Sequence, residues 1–285
     1  MIATSFDYTR ATSLDDAIAR LKDANGAGKL IAGGHSLVPL MKLRLSEPGV
    51  LIDIARIPGL AGIRKVGDRI EIGAGTVHHD VATSSLLRDA CPMLAEAAGS
   101  IGDQQVRNRG TLGGSLAHAD PAADYPAAML ALDADIHLKG PAGTRVAKAQ
   151  TFFRGLFTVD LGPEEIITSV QFTPVKTAAY AKLHQRASHF AIVGVAAALD
   201  VPGGTIASAR IGVTGATASA TRLSSVEQQL AGKSASAETI AAATKNAGAD
   251  LEDVNSDLHA SEDYRRAMVA VFTRRALEAA LARAR

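Results

Sequence analysis

Apolar residues in the first part of the chain alternate between the spacing of a helix and the continuous runs of buried strands. A helix is predicted over 14–21, where apolar residues recur at helical intervals behind Ser13, a residue type that caps helix N-termini. Short apolar runs at 29–32 and 50–54 predict two strands. Because helix and strand alternate, residues 1–55 are expected to form a small α/β unit with a parallel sheet.

Antiparallel hairpins replace this alternation from residue 61 onward. The segments GIRKV and RIEIGA flank Gly67-Asp68, a dipeptide favoured in two-residue hairpin turns. A second hairpin is predicted for ADIHLKG and TRVAKA, across the GPAG sequence. Residues 56–176 are therefore expected to be α+β with an antiparallel sheet. The other elements predicted in this stretch are helices over 80–87, 92–98 and 121–132 and a strand over 165–172.

The last part of the chain, residues 177–285, is predicted to combine a strand meander with helices. The sequence Pro202-Gly203-Gly204 separates two apolar runs, which favours an antiparallel connection between them. The three units together predict an α+β fold. The elements predicted here are three strands, over 180–186, 191–201 and 205–213, and three helices, over 223–231, 237–247 and 261–284.

Charge and cysteine content exclude several classes of function. The 30 basic and 29 acidic residues give a formal net charge of +1, without the one-sided basic field of a nucleic-acid-binding protein. The single cysteine, Cys91, excludes internal disulfides and any Cys-ligated iron–sulfur cluster built by this chain alone. The N-terminal sequence resembles no signal peptide, and no apolar run approaches the roughly twenty residues of a membrane span. A cytoplasmic protein without a transmembrane segment is expected.

Two glycine-rich segments carry most of the functional signal, IAGGHSL at 31–37 and GTLGGSLAHADPAAD at 110–124. Paired glycines let backbone N–H groups approach a phosphate because no Cβ stands in the way. The first segment joins a strand to a short helix that Ser36 is placed to cap, and a plain tight turn explains it equally well. In the second, a turn capped by Asp120 leaves the paired glycines and Asp124 unexplained. The two segments predict a cofactor with a long anionic tail.

Two other kinds of site fit the second segment less well. His118, Asp120 and Asp124 match no compact metal-ligand spacing, so local caps and turns are the favoured interpretation and no metal site is expected. Ser115 lacks the glycine two positions later and the preceding buried strand that a hydrolase nucleophile elbow requires. No acid–base catalytic group is therefore predicted in this chain.

Several further positions allow two interpretations. The segment GAGTVH ends in His78, where the dinucleotide-binding fingerprint needs a glycine, so His78 and His79 are predicted to begin a solvated helix. Lys182 and Arg186 lie four residues apart in a predicted strand and would share one face, either beside a cofactor or in solvent. Phe190 either stacks on a cofactor ring or packs the sheet.

The motifs IAGGHSL, VRNRGTLGGSLAHADPAADYPAA, AYAKLHQR and HFAIVG, in this order, resemble those of the flavin-binding medium subunit of molybdenum hydroxylases. That group includes aerobic carbon monoxide dehydrogenase and the xanthine dehydrogenase family, and the resemblance extends over essentially the whole chain. It implies a two-subdomain FAD-binding fold of the vanillyl-alcohol-oxidase (PCMH) type, followed by a C-terminal domain of three-stranded antiparallel sheet and helices.

The resemblance also implies which residues bind noncovalent FAD. Two positions depart from the family pattern. Phe190 stands where relatives often have tyrosine, and Ser115 where they often have asparagine or aspartate. The implied cofactor-binding residues are Ala32, Gly33, Gly34, His35 and Ser36 in the first loop, Thr111, Gly113, Gly114 and Ser115 in the second, and Ile101, Asp124, Leu161, Lys182 and Phe190 around the flavin.

An electron-relay role follows from the same resemblance. A molybdenum-containing large subunit would oxidise the substrate, and an iron–sulfur small subunit with [2Fe-2S] clusters would pass electrons to FAD on this chain and from there to an external acceptor. The assembly is expected to be a dimer of heterotrimers. Two alternatives stay open: a stand-alone flavin oxidase with FAD anchored covalently at His35, and a noncatalytic nucleotide-binding scaffold.

The C-terminal helix and the VRNRG segment are rich in arginine. These side chains are predicted either to contact partner subunits or to form a solvated surface. The helix residues concerned are Arg265, Arg266, Arg274, Arg275, Arg283 and Arg285.

Overall fold

The structure is a computed structural model that describes residues 2–284, and its first unit is a parallel sheet of three strands. Ser13 caps the first helix, because its hydroxyl accepts a hydrogen bond from the Asp16 N–H at 3.1 Å. The sheet order is β1-β3-β2, which confirms the parallel arrangement that the alternation predicts. The elements are β1 (Asp7–Arg10), α1 (Leu14–Asp23), β2 (Gly28–Ile31), α2 (Leu37–Lys42) and β3 (Val50–Asp53).

The second unit is built on an antiparallel sheet of five strands, in the order β4-β5-β10-β6-β7. The central strand, β10, comes last along the chain. The other elements of the unit lie in the connections from β5 to β6 and from β7 to β10. A separate two-stranded hairpin, β8-β9, lies in the second connection. The strands are β4 (Ile63–Val66), β5 (Arg69–Gly73), β6 (Asp135–Gly140), β7 (Gly143–Lys148), β8 (Phe153–Gly155), β9 (Thr158–Val159) and β10 (Ile166–Phe172).

Short helices fill the connection between β5 and β6. Thr111 caps helix α7 (Leu112–His118), because its hydroxyl accepts a hydrogen bond from the Gly114 N–H at 3.1 Å. That helix ends at Ala119, whose φ of +46° turns the chain towards the next one. The helices are α3 (His78–Thr83), α4 (Ser85–Ala90), α5 (Pro92–Gly99), α6 (Gln104–Arg107), α7 (Leu112–His118), α8 (Asp124–Leu132) and, after β7, α9 (Ala149–Phe152).

The C-terminal unit is an antiparallel sheet with helices against one face. Its strands lie in chain order, and alternate residues of the central one, β12, are buried on opposite faces. Ala196 and Ala198 belong to the core shared with the second unit, whereas Val193 and Val195 belong to a core formed with the helices. The elements are β11 (Ala178–His184), β12 (Ala191–Asp200), β13 (Ser208–Thr214), β14 (Thr221–Arg222), α10 (Ser224–Leu230), α11 (Ala237–Thr244) and α12 (Glu262–Ala282).

Helix α8 joins the second unit to the C-terminal sheet. It is buried along its whole length and packs against β12 and β13. The approach is so close that a Cβ on Gly212 would overlap the Ala127 carbonyl. The Thr214 hydroxyl donates to the carbonyls just before the helix, at 2.8 Å to Pro121 and 2.7 Å to Ala123. The first residue of α8, Asp124, is thereby fixed between the two units.

Several predicted elements need correction. The predicted helix over 80–87 is two helices, because the chain is extended at Ser84, which caps the second one. The second glycine segment is not an open turn, since Gly113, Gly114 and Ser115 lie inside α7. The helix predicted over 121–132 begins only at Asp124. The C-terminal meander has a fourth strand, β14, which is too short to stand out in the sequence.

Side-chain interpretations also change. Ser36 precedes α2 but makes no capping hydrogen bond. His78 is buried with 5% exposure, so the prediction of a solvated helix start is wrong for this residue. Arg186 lies beyond β11, so it does not share a strand face with Lys182.

The arginines of α12 have different surroundings and do not form a single solvated surface. Arg265 is buried and pairs with Asp257 at 2.7 Å, and Arg283 pairs with Glu96 of α5. Arg266 and Arg274 pair with acidic residues on the same helix, and Arg275 lies over the ring of Phe272. Arg285 lies outside the described residues. No helix within 2–284 is long and apolar enough to cross a membrane.

Candidate functional site

A cavity of about 690 Å³ opens where the three units meet, and both glycine segments line it. This volume is within the roughly 300–1,000 Å³ that is typical of ligand pockets. The C-terminal unit contributes residues 188–190, from the loop between β11 and β12. The remaining wall comes from the first two units, so the cavity depends mainly on how these two pack together.

The first glycine segment presents unpaired backbone donors to the cavity. The N–H groups of residues 33–37 donate no hydrogen bond to any group within 2–284. Gly34 has a φ of +76°, a conformation that favours glycine. A Cβ on Gly33 would overlap the Arg109 carbonyl, so glycine is needed for the two segments to touch. A run of free amides beside such a contact is suited to phosphate oxygens.

The second glycine segment forms the start of α7 against the turn after β5. The Gly113 N–H donates to the Ala74 carbonyl at 2.8 Å, and a Cβ on Gly113 would come within 2.5 Å of the Ala74 Cβ. The glycine therefore serves close packing as well as access to a ligand. The second segment is therefore held in place by tertiary contacts.

The GAGTVH segment, which fails the dinucleotide fingerprint, supports the second glycine segment. The Leu112 N–H donates to the Thr76 carbonyl at 3.0 Å, and the His78 N–H donates to the Gly110 carbonyl at 2.9 Å. His78 also lines the cavity. Burial, together with the smaller effects of the nearby His35 and Arg107 charges, lowers the pKa of its imidazole to about 4. The local sequence predicts a solvated position for His78, because its burial depends on distant parts of the chain.

Asp124 and Lys182 form a buried ion pair at the edge of the cavity. Lys182 Nζ lies 2.8 Å from Asp124 Oδ1 and donates to the Ser100 carbonyl at 3.0 Å. The Tyr180 hydroxyl donates to Asp124 Oδ1 at 2.5 Å. Burial raises the pKa of the Asp124 carboxyl, against the opposing effects of Lys182 and Tyr180. Tyr180 is not among the predicted site residues. A signal for it exists in the sequence, because Tyr180 lies two residues before Lys182 and so shares a strand face with it.

Two aromatic side chains lie on loops beside the cavity. Phe190 is 49% exposed and lines the cavity, so it does not pack the sheet core. Phe157, which the sequence analysis did not single out, is 52% exposed and also lines it. Its φ of +50° is uncommon for a bulky residue, and its ring lies 5.0 Å from that of His118. Both rings remain accessible for contact with a bound molecule.

The structure brings the predicted site residues together. Lys182 is the one predicted residue that does not line the cavity. Its buried ammonium pairs with Asp124, which does. His118 and Asp120 also line the cavity, but no group of three potential metal-ligating side chains within 2–284 is placed to hold a metal. The predicted residues that line the cavity are Ala32, Gly33, Gly34, His35, Ser36, Ile101, Thr111, Gly113, Gly114, Ser115, Asp124, Leu161 and Phe190.

Comparison with known proteins gives the site its cofactor. Residues 4–175 match a family model described as the FAD binding domain in molybdopterin dehydrogenase. Residues 178–280 match the CO dehydrogenase flavoprotein C-terminal domain. The chain belongs to the FAD-binding medium subunits of the molybdenum hydroxylases. It is therefore a subunit of an FAD-dependent oxidoreductase, and the recognition made from the sequence motifs is confirmed.

Relatives of this medium subunit match it from end to end. The carbon monoxide dehydrogenase medium chain of Hydrogenophaga pseudoflava is 40% identical over 99% of both chains. Subunit alpha of the 6-hydroxypseudooxynicotine dehydrogenase complex of Paenarthrobacter nicotinovorans is 40% identical over 99% of this chain and 96% of its own. A solved structure of carbon monoxide dehydrogenase from H. pseudoflava matches with a TM-score of 0.94, 40% identity and 99% coverage of both chains.

These matches confirm the predicted α+β fold with an FAD-binding domain and a C-terminal domain. The cavity fits FAD on its own chemistry as well. Free amides at 33–37 suit the pyrophosphate, and the Asp124 carboxylate and half-exposed aromatic side chains suit a ribityl chain and a planar ring. The cavity thus offers groups suited to the pyrophosphate, the ribityl chain and the flavin ring.

Proposed function

We propose that this medium subunit relays electrons within a three-subunit hydroxylase, in which a large molybdenum subunit oxidises the substrate and a small subunit carries [2Fe-2S] clusters. Bound FAD supplies a redox centre that exchanges electrons singly with such clusters and in pairs with an external acceptor. The chain's own residues hold and orient the cofactor. The proposed assembly is a dimer of heterotrimers in the cytoplasm.

The observation that carries the relay is the separation of cofactor and cluster chemistry. The cavity provides groups suited to FAD, whereas the only cysteine, Cys91, is fully buried in the core. Iron–sulfur clusters take Cys thiolates as ligands, so the clusters of such an enzyme must belong to another chain. In the proposed relay, a partner chain with such clusters supplies the electrons that FAD on this chain collects.

The cofactor-binding residues are proposed as follows. The amides of 33–37 and the start of α7, from its cap Thr111 to Ser115, hold the pyrophosphate, and Asp124 accepts hydrogen bonds from the polar part of the flavin. Ile101, Leu161 and Phe190 contact the ring, and Lys182 holds Asp124 in place at its edge through the buried ion pair. Asp124 has a fixed orientation, because one carboxylate oxygen accepts a hydrogen bond from Tyr180 and the other accepts one from Lys182.

Relatives support a substrate site outside this subunit. Two of them share the same 40% identity with the chain, yet one belongs to a carbon monoxide dehydrogenase and the other to a 6-hydroxypseudooxynicotine dehydrogenase complex. A small diatomic gas and a nicotine derivative have little chemistry in common. Equal similarity to both is expected if the medium subunit handles electrons and another subunit recognises the substrate.

A stand-alone oxidase with FAD attached at His35 is the second candidate. Such an enzyme needs a domain that caps the flavin and forms a substrate pocket. Among the described residues, the C-terminal unit contributes to the cavity only the loop residues 188–190, and its sheet is covered on both faces. We therefore propose noncovalent FAD. Denaturation with acid should release all of the flavin, and flavin retained on the chain at His35 would favour the oxidase.

Isolation of the native complex tests the relay. We expect the chain to co-purify with two partner subunits that contain molybdenum and iron in fixed ratio, and substrate to bleach the flavin absorbance only when both partners are present. The purified medium subunit alone should keep its flavin oxidised with the same substrate. Flavin bleaching by substrate in the isolated chain would overturn the proposal, as would a native preparation without either metal.

A further inference from the structure

His78 is a buried polar residue on the wall of the cavity that is proposed to bind FAD. It is 5% exposed, at the first position of α3, directly beneath the second glycine segment. Its backbone N–H is used by the Gly110 carbonyl. The imidazole lies beside the Tyr125 ring, with centroids 5.3 Å apart. Which of the two ring nitrogens carries the proton therefore determines whether the side chain can donate a hydrogen bond into the cavity.

The hydrogen bond to Tyr125 fixes the imidazole tautomer. His78 Nδ1 lies 3.2 Å from the Tyr125 hydroxyl. Tyr125 is fully buried, and its hydroxyl has no other hydrogen-bond partner within residues 2–284. The hydroxyl can donate its proton only to Nδ1, and a buried donor left unpaired is costly. Nδ1 is therefore the acceptor, and the ring proton lies on Nε2.

The Nε2 atom lies against Gly110 of the second glycine segment, and His78 lines the cavity between the two segments. It has no hydrogen-bond partner among the described residues. It is also not among the side-chain atoms that are both fully buried and without a partner, so it is not closed off from a ligand. A Cβ on Gly110 would come within 2.5 Å of Nε2, so glycine is needed at this position for the imidazole to lie where it does. His35 of the first segment is close enough to influence the imidazole electrostatically.

We propose that His78 is a cofactor-binding residue, whose neutral Nε2–H donates a hydrogen bond to an anionic phosphate oxygen of FAD between the two glycine segments. The low pKa of the buried imidazole keeps it uncharged near neutral pH, so it acts as a directed donor and not as a counter-ion. The proposal rests on the FAD site of the proposed function and not on the electron relay. Its failure would leave the relay untouched.

Paired substitutions at this position separate the two nitrogens. In His78→Gln the amide N–H can reach the place of Nε2, whereas in His78→Asn the amide lies near the place of Nδ1 and the cavity donor is lost. We expect the FAD dissociation constant of the refilled apoprotein to rise about tenfold or more for His78→Asn, and much less for His78→Gln, since hydrogen bonds to charged groups contribute about 1.5–3 kcal/mol. Quenching of flavin fluorescence on binding measures both constants.

His79→Asn is the matched control, because His79 is the neighbouring histidine and does not line the cavity. It should bind FAD as the natural chain does. Cofactor fragments then locate the contact. His78→Asn should weaken binding of ADP and leave riboflavin unaffected. Equal FAD binding by His78→Asn and the natural chain would overturn the proposal, and so would a loss confined to riboflavin.

A measurement without substitution keeps the test independent of folding. In protein labelled with ¹⁵N-histidine, His78 should show the Nε2–H tautomer before any ligand is added. Addition of ADP should shift the Nε2 resonance, with little change at Nδ1. An Nδ1–H tautomer, or an Nε2 resonance that does not move with ADP, would contradict the inference whatever the variants do.

Discussion

Lys182 Nζ and Asp124 Oδ1 lie 2.8 Å apart, with their side chains 5% and 4% exposed, and they join strand β11 to the first residue of helix α8. The pair therefore links the C-terminal unit to the unit that carries the second glycine segment. Since Asp124 also lines the FAD cavity, the same contact connects domain packing with cofactor binding. Changes at either residue should affect both properties.

Asp124→Asn should destabilise the chain strongly. The substitution leaves the Lys182 ammonium buried without its counter-charge, and breaking a buried pair in this way costs about 3–5 kcal/mol. Urea-induced unfolding of the FAD-free chain, followed by circular dichroism, measures the free energy of unfolding. The double variant Asp124→Asn with Lys182→Met should lose much less than the sum of the two single variants. Additive losses would show that the two charges do not depend on each other.

Tyr180→Phe tests the second donor to Asp124. Loss of its hydrogen bond to the carboxylate should cost about 1.5–3 kcal/mol and weaken FAD binding, because Asp124 loses part of its fixed orientation. Tyr264→Phe is the matched control, since Tyr264 is 46% exposed and its hydroxyl has no hydrogen-bond partner within 2–284. Unfolding curves and FAD titrations of both variants give the comparison. Equal behaviour of the two would remove Tyr180 from the site.

Local sequence patterns predicted the parts of the fold that depend on neighbouring residues. The parallel sheet of the first unit, the hairpin at Gly67-Asp68 and the cap at Ser13 all follow from periodicity and turn chemistry. Helix α7 was missed because Gly113 and Gly114 are poor helix formers. Its helical state depends on the Thr111 cap and on contacts with the turn after β5.

Contacts between distant residues explain what the site prediction missed. His78 is buried by Tyr125, 47 positions away, and Tyr180 reaches Asp124 across 56 positions. No local pattern contains such pairings. The glycine segments were identifiable because each combines paired glycines with polar residues in one short stretch. The remaining residues of the cavity wall are recognisable only once the units are packed together.

Gly33→Ala should separate the two glycine segments. A Cβ at this position would overlap the Arg109 carbonyl, and both partners are backbone, so neither can rotate away. We expect FAD affinity to fall at least tenfold and the unfolding free energy to drop by about 1–3 kcal/mol. Fluorescence titration with FAD and urea unfolding check the two effects. Gly99→Ala, whose new Cβ would meet Ala82 at an ordinary 3.9 Å, should leave FAD affinity unchanged and should not lower the unfolding free energy.

Stability of the FAD-free chain should depend on the titration of His78. Burial lowers the pKa of the folded imidazole to about 4, whereas the unfolded value is about 6.5. Between these values the unfolded chain binds more protons at this residue, so stability falls as the pH drops from about 6.5 towards 4. By linkage the loss between pH 7 and pH 5 amounts to about 2 kcal/mol.

Urea unfolding of the natural chain and of His78→Asn at pH 7 and pH 5 isolates this contribution. The variant should lose about 2 kcal/mol less between the two pH values than the natural chain does, because it has no imidazole to protonate. His118, whose pKa is also lowered by burial, remains in both proteins and cancels in the comparison. Parallel pH dependences of the two proteins would show that His78 is protonated as readily in the folded chain as in the unfolded one, and that its imidazole is not held neutral beneath the second glycine segment.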